Sequence, residues 1–257
     1  MAPMAMTNAR RQYIRELRQR KGRRKYAAFV VEGLVNVGEL LASSTEVELL
    51  AGTPEGLDAL RQNAPRVSFP AETYELGPAA LARASAQVNP SGVLAVARVP
   101  DYGLPDVAAP PRLLYLDGVN DPGNAGTLVR TAEWFGLGGV CASPGSVDWY
   151  NPKTVAAARG SLFRVPHRQV DLAELAAARA GDRVVVADLG GGPARGYAWP
   201  ARGILVVGSE SHGPSETARA IVREGRGDVV TIRGAGRAES LNAGVAGGIL
   251  MAMWGAR

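Results

Sequence analysis

The chain has 257 residues, 46% of them hydrophobic and 21% charged, with a formal net charge of +5. That length suits two domains, and the composition is that of an ordinary globular protein rather than a disordered one. One cysteine, Cys141, and two histidines, His167 and His212, exclude an intrachain disulfide and a structural zinc cluster, so a reducing cytoplasm and no metal are the expectations.

No run reaches the roughly 18 apolar residues of a membrane span. The stretch Ala243 to Trp254 is shorter and interrupted by glycine, which reads as a buried helix, and no membrane association is expected. The opening MAPMAMTNARR lacks the apolar core of a secretory signal, and its Arg-rich, acid-poor character leaves a transit peptide as the lesser reading. Residues 1–26 hold nine Lys or Arg against one acid, Glu16, a local charge of +8, and the remainder is −3. On a helix, Arg11, Arg15 and Arg18 share a face while Ile14 and Leu17 point elsewhere. With Arg23 and Arg24 they form a cationic stripe suited to a phosphate backbone, against the plainer reading of a solvated helix face.

In chain order, the pattern predicts a strand at Ala27 to Glu32, a helix at Leu34 to Ala42, a strand at Val47 to Leu50 and a helix at Pro54 to Gln62. A short strand around Val67 to Phe69, a helix near Pro78 to Arg83 and a closing strand at Gly92 to Val99 follow. Residues 100–111, PDYGLPDVAAPP, are too broken by proline for helix or sheet and are taken as a linker. The expected organisation is therefore a domain at 1–99, a linker at 100–111 and a second domain at 112–257.

The second half restarts the alternation, with strands at Leu113 to Leu116, Gly139 to Ala142, Val184 to Ala187, Ile204 to Val207 and Val229 to Ile232. Continuous apolar strands spaced by helical segments indicate an α/β fold with a parallel sheet covered on both faces. Ligands of such sheets gather beyond the carboxyl ends of the strands. Three polar or glycine-rich turns lie there: DGVNDPGNAG, GSESHGPS and RGAGRAESLN. In the first, Asn124 opens a helix, and Arg130, nearly two turns on, leans back toward the turn, where an anion would fit. In the second, small residues flank Glu210 and allow close approach to the backbone. The third leads through Ser240 and Asn242 into a helix whose Gly244, Gly247 and Gly248 imply close packing.

Each of these residues has a plainer role open to it: a helix cap for Asn124 or Ser240, a surface ion pair for Arg130, a first-turn acid for Glu210. Two rival sites are set aside. A hydrolase elbow at Ser211 lacks its leading glycine, because Ser209 stands there. A dinucleotide fingerprint at Gly190 and Gly192 fails at Arg195, and that run is read as a flexible loop.

In order and spacing the three turns resemble the three motifs of the SpoU/TrmH family of RNA ribose 2′-O-methyltransferases, within the SPOUT superfamily. DGVNDPGNAGTLVRTAEWFG carries Asn124, Gly126 and Arg130; ILVVGSESHG carries Gly208, Glu210 and Gly213; TIRGAGRAESLN is the third. The resemblance extends to SVDWYNPKTVAAARGSLFRVP and to RQRKGRRKYAAFVVEG. It implies a small N-terminal α/β substrate-binding domain, and a C-terminal α/β-knot domain with a trefoil knot and a mostly parallel sheet. It further implies S-adenosylmethionine as methyl donor, and a homodimer whose subunits complete each other's sites. Nothing in periodicity points to the knot.

By position in the motifs, Gly208, Ile232 and Leu241 would contact the donor, and Ser240 and Asn242 would shape its pocket. Asn124 and Glu210 would orient the site, with Glu210 holding Asn124 or Arg130. A guanidinium keeps its proton throughout the physiological range, so Arg130 suits a phosphate anchor and electrostatic helper better than a literal base. The chain departs from the family at Ser209, Ser211, Arg233, Gly234, Ala243 and Gly244, which puts side-chain packing on the donor in doubt. The substrate expected is structured RNA, ribosomal first and transfer RNA second. The alternative is a non-catalytic knotted RNA-binding protein that acts in RNA or ribosome assembly.

Overall fold

The computed structural model describes residues 6–86 and 90–255; residues 1–5, part of the stretch weighed as a transit peptide, lie outside them. The chain forms two compact units, residues 1–101 with 148–164, and residues 102–147 with 165–257.

The first unit opens with helices α1 (Asn8–Leu17) and α2 (Arg20–Tyr26). Helix α1 is amphipathic: Ile14 and Leu17 are fully buried while Arg11 and Arg15 are exposed. Then come β1 (Ala28–Glu32), α3 (Leu34–Leu41), β2 (Val47–Gly52), α4 (Pro54–Asn63), β3 (Thr73–Glu75), α5 (Pro78–Ala84) and β4 (Val93–Arg98). The sheet order is β1-β4-β2-β3, with β4 antiparallel to both neighbours and β3 parallel to β2. The two-residue period of a strand splits β1 between two layers. Ala28 and Val30 join Ile14, Leu17 and Leu81 in one core cluster. Phe29 packs instead on Tyr150 and Phe163, at centroid distances of 4.5 and 6.3 Å.

The short strand expected at Val67 to Phe69 lies at Thr73–Glu75 instead. Tyr74, 3% exposed, supplies the core anchor there, whereas Phe69 lies under the Arg61 guanidinium, 4.9 Å from its centroid. The linker expectation is also corrected, since residues 104–108 form helix α6 (Leu104–Ala108) and Val107 is fully buried in the second unit's core. The prolines end that helix. The Arg179 guanidinium then satisfies the carbonyls of Ala108, Pro110 and Pro111, the last at 2.8 Å.

The second unit continues with β5 (Arg112–Asp117), α7 (Pro122–Trp134) and β6 (Gly139–Ala142). The chain then leaves for the first unit, contributing α8 (Pro152–Ala158), which packs against β1. By sequence order alone, residues 148–164 belong with the second domain. Burial of Tyr150 and Phe163 against Phe29, and the ion pair of Asp148 with Arg23 at 2.6 Å, put them with the first.

On return come β7 (His167–Gln169), α9 (Leu172–Ala178), β8 (Arg183–Pro193), β9 (Gly203–Gly208), α10 (Glu216–Arg223), β10 (Gly227–Thr231) and α11 (Ala243–Gly255). All six strands are parallel, in the order β10-β8-β9-β5-β6-β7. The core cluster on one face includes Leu113, Tyr115, Leu172, Leu175, Val186, Val206 and Ile221, and α11 packs on α7 and β9. This is the α/β architecture expected of a doubly covered sheet.

The glycine run 190–192 is strand, not flexible loop: Gly192 pairs with Val230 across a register shift. A Cβ on Gly191 would lie 2.7 Å from the backbone of Val229 and Val230, whereas one on Gly190 would meet only the Asp188 carboxylate at 3.9 Å. Gly191→Ala is therefore expected to cost about 1 to 3 kcal/mol of stability through overpacking. Gly190→Ala should stay within about 0.5 kcal/mol. Urea denaturation of both variants measures the difference.

Candidate active site

Strands β5, β9 and β10 end at Asp117, Gly208 and Thr231, and each is followed by one of the three turns read from the sequence. Their parallel direction puts all three turns at the carboxyl edge of the sheet, where ligands of open α/β sheets bind. At that edge Glu210 Oε1 accepts three hydrogen bonds: from Asn124 Nδ2 at 3.0 Å, Asn242 Nδ2 at 2.6 Å and the Ala243 backbone N–H at 3.0 Å. Asn242 Nδ2 also donates to Asn124 Oδ1 at 3.0 Å. Residues from all three turns thus meet on one carboxylate oxygen.

Local sequence explains how each member is held. Asp121 caps α7, its Oδ1 accepting the Asn124 N–H at 2.7 Å, so Asn124 sits within the first turn with its side chain free for Glu210. The expectation that Asn124 itself starts the helix is corrected accordingly. Asn242 Oδ1 accepts the Val245 N–H at 3.2 Å and caps α11; Ser240, the other candidate cap, is exposed in the preceding loop. A Cβ on Gly208 would overlap the backbone of Gly213 and Pro214, so only glycine lets the second turn fold back as it does. Gly213 itself has φ +65°, and Ser215 N–H bonds Asp117 Oδ2 at 2.7 Å, tying that turn to the end of β5.

The Asp117 and Asp121 carboxylates and the Ala243 N–H were not picked out from the sequence. The signal for Asp121 was present, as an acid directly before proline at a helix start.

Of the expected site residues, Asn124, Glu210 and Asn242 come together. Gly208 closes β9, Ile232 lies half-buried just after β10, and Ser240 and Leu241 lie in the exposed loop 232–242, with Leu241 at 44% exposure. Arg130 is exposed on α7 and meets no hydrogen-bond or ion-pair partner among the described residues; Glu210 holds Asn124, not Arg130. The glycines of α11 serve close packing in part. A Cβ on Gly247 would overlap the Leu128 side chain, and one on Gly244 would lie 3.2 Å from Asn124 Oδ1.

Beside the carboxylate, Asn124, Thr127, Asn242, Val245, Gly248 and Ile249 are among the residues lining a shallow groove of about 400 Å³. Two other reactive side chains of the unit take no part. Burial pushes the Cys141 thiol up to about 12, and burial lowers His167 to about 4, which keeps it neutral. Ser211 and His212 are exposed and paired with each other at 2.7 Å. No group of three or more potential metal ligands occurs among the described residues.

In the first unit the cationic stripe divides. Arg11, Arg15 and Arg24 are exposed. Arg18 is half-buried and donates to the carbonyls of Arg83, at 3.0 Å, and Ser85. Arg23 is 6% exposed, and its guanidinium is spent on Asp148 and on the carbonyls of Leu17 and Arg18 at 2.9 and 2.8 Å. Its assignment to substrate binding is corrected: it anchors the 148–164 segment.

Residues 8–95 match the MRM3-like substrate binding domain, and residues 111–252 match the SpoU rRNA Methylase family. Over 156 residues the chain is 32% identical to the 23S rRNA (guanosine(2553)-2′-O)-methyltransferase RlmP of Bacillus subtilis, covering 59% of this chain and 58% of that one. The first curated relatives are matched over 46% to 62% of their own length. Among solved structures, a protein of the TrmH family from Porphyromonas gingivalis is 36% identical, with 98% of each chain covered and a TM-score of 0.84. The SpoU methyltransferase AviRb of Streptomyces viridochromogenes, solved in complex with AdoMet, is 25% identical over 97% of this chain and 98% of that one, with a TM-score of 0.83. Such relatives have an N-terminal domain followed by an α/β-knot domain, the fold class found here. The chain belongs to the SpoU rRNA methylase family.

Proposed function

We propose that this protein transfers the methyl group of S-adenosylmethionine to a ribose 2′-hydroxyl of structured RNA, ribosomal RNA first and transfer RNA second. The observation that carries the reading is the meeting of Asn124, Glu210 and Asn242, one from each motif, on a single carboxylate oxygen. It is supported by the 2′-O-methyltransferase named among the chain's relatives and by the AdoMet complexes among its structural neighbours. The cytoplasm is the compartment we propose, on the single, buried cysteine of the sequence.

The residues present fit an adenosyl donor. The second and third turns offer backbone beside Gly208, and Ile232 and Leu241 are apolar side chains left partly outside the core. An exposed leucine in a loop at a ligand edge is what an apolar ligand would cover. When bound, the donor supplies a sulfonium methyl open to in-line attack by an oxygen. The chain's part is positioning, because a reacting oxygen must be held close and aligned. Glu210 fastens the three turns, while Asn124 and Asn242 have both ends of their amides occupied and act as positioning residues. Arg130, with no partner among the described residues, is available to a phosphate beside the reacting ribose and stabilises charge there without giving up its proton.

We further propose a homodimer through α7 and α11. Helix α11 is apolar all round, and such a helix belongs in a buried place. Yet Val245 is 51% exposed, and Trp134 on α7 is 83% exposed. A second copy laid on this face would cover both and bring another chain to the groove beside Asn124 and Asn242. The alternative, an RNA-binding protein without catalysis, is disfavoured by the intact bonding of Asn124, Glu210 and Asn242.

Calorimetric titration with S-adenosylmethionine tests the donor site. Saturable binding is expected for the wild type and for Arg130→Ala, which should lose methyl transfer alone. No binding at millimolar donor would sink the catalytic reading. Sedimentation should find a dimer that Trp134→Glu with Val245→Glu converts to monomer; an unaltered dimer would place the interface elsewhere.

A further inference from the structure

Among the described residues, two other than glycine adopt left-handed backbone conformation, Ala27 at φ 47° and Arg159 at φ 49°. In an L residue the Cβ crowds the following carbonyl there, so glycine or asparagine is the usual occupant. Arg159 follows α8 within the segment 148–164, and Gly160 after it is also left-handed, at φ +71°. Glycine at 160 has a steric reason, because a Cβ would lie 2.8 Å from the Glu39 side chain. Arginine at 159 has none in the fold. Its side chain is exposed and meets no hydrogen-bond or ion-pair partner among the described residues, and Glu39, the acid at hand, is paired with Arg164.

A favourable interaction with the helix dipole does not account for it. A cation at exposed Ala156, in the same last turn of α8, would gain as much without the strained backbone. Strain of this kind occurs at Ala27 as well, but only at Arg159 does it hold out an exposed charge with no partner among the described residues, which motivates a contact outside the chain.

The surroundings say what that is. The segment is fastened to the basic α2 by the Arg23–Asp148 ion pair at 2.6 Å. Arg10, Arg23, Lys25, Arg61, Arg98 and Arg164 of this unit have acidic partners. Arg11, Arg15, Arg20, Lys21 and Arg24 are exposed without such partners among the described residues, and so are Lys153 and Arg159 of the segment.

We propose that the segment 148–164, which covers the face of the first sheet opposite α1, is a second RNA-binding surface of the first unit and that Arg159 is a phosphate contact on it. The proposal rests on the reading of the protein as an RNA methyltransferase. It adds a binding residue outside both the N-terminal stripe and the site at the sheet edge.

The test pairs stability with binding, because the two move in opposite directions. In Arg159→Gly the left-handed position is relaxed, so the melting temperature of the full chain should rise by about 2 °C. Affinity for deproteinised 23S rRNA should fall roughly three- to ten-fold, and the slope of log affinity against log salt should shrink by about one. Arg159→Lys, which keeps charge and backbone strain, should retain the slope and show no gain in stability. Unchanged donor binding in both variants keeps the sheet-edge site out of the comparison. A lower melting temperature for Arg159→Gly, or wild-type RNA affinity and slope in it, would overturn the proposal alone. Failure of the wild type to bind the RNA at all would overturn it together with the functional reading.

Discussion

Oε1 of Glu210 is the point on which the rest of the site depends. It accepts from Asn124 after β5, and from Asn242 and Ala243 after β10, while Glu210 itself follows β9. Hydrogen bonds to an ionised acceptor are the stronger kind, but Glu210 is exposed, so their net worth is about 1 to 3 kcal/mol together rather than several for each. Their larger effect is geometric. Three turns separated by tens of residues share one acceptor, and the two helices that leave them, α7 and α11, start at fixed positions relative to it. Close packing of α11 against Leu128 through Gly247 continues that constraint along both helices.

This arrangement changes what the motif residues are for. Asn124 and Asn242 are spent on one another, on Glu210 and on the α11 cap, whereas Arg130 of the first motif and Arg233 and Arg237 of the third are exposed with no side-chain partner among the described residues. A site that anchors its amides and leaves guanidinium groups unengaged suits chemistry in which alignment and nearby charge dominate, and a permanently protonated group is not asked to act as a base. The cationic stripe is thinned in the same way. Arg23 and Arg18 hold the fold, and Arg11, Arg15 and Arg24 remain exposed.

Much of this was legible in the sequence. The strands from Leu113 and Ile204 are continuous apolar runs because both faces of the central sheet are covered, and the turns that follow such strands are where ligands bind. What was missed has specific causes. Helix α6 lies in a proline-rich stretch whose carbonyls are satisfied by Arg179, some 70 residues away, and no local pattern announces that partner. The glycines 190–192 read as flexibility because close approach of two backbones leaves no trace in composition. Arg23 looked like its neighbours, since charge patterning does not reveal an acid 125 residues distant. Residues 148–164 were kept with the sequence that surrounds them, and only the packing of Phe29 on Tyr150 and Phe163 assigns them to the first unit.

The central claim is that the Glu210 cluster assembles a site for ribose methylation. Its most direct test is incubation of deproteinised 23S rRNA with isotopically labelled S-adenosylmethionine and either wild-type protein or Glu210→Ala, followed by alkaline hydrolysis. A 2′-O-methyl group blocks cleavage of the adjoining phosphodiester, so the account predicts label in an alkali-resistant dinucleotide with the wild type and its loss with Glu210→Ala. Label confined to mononucleotides, or equal yields from the two proteins, would contradict it.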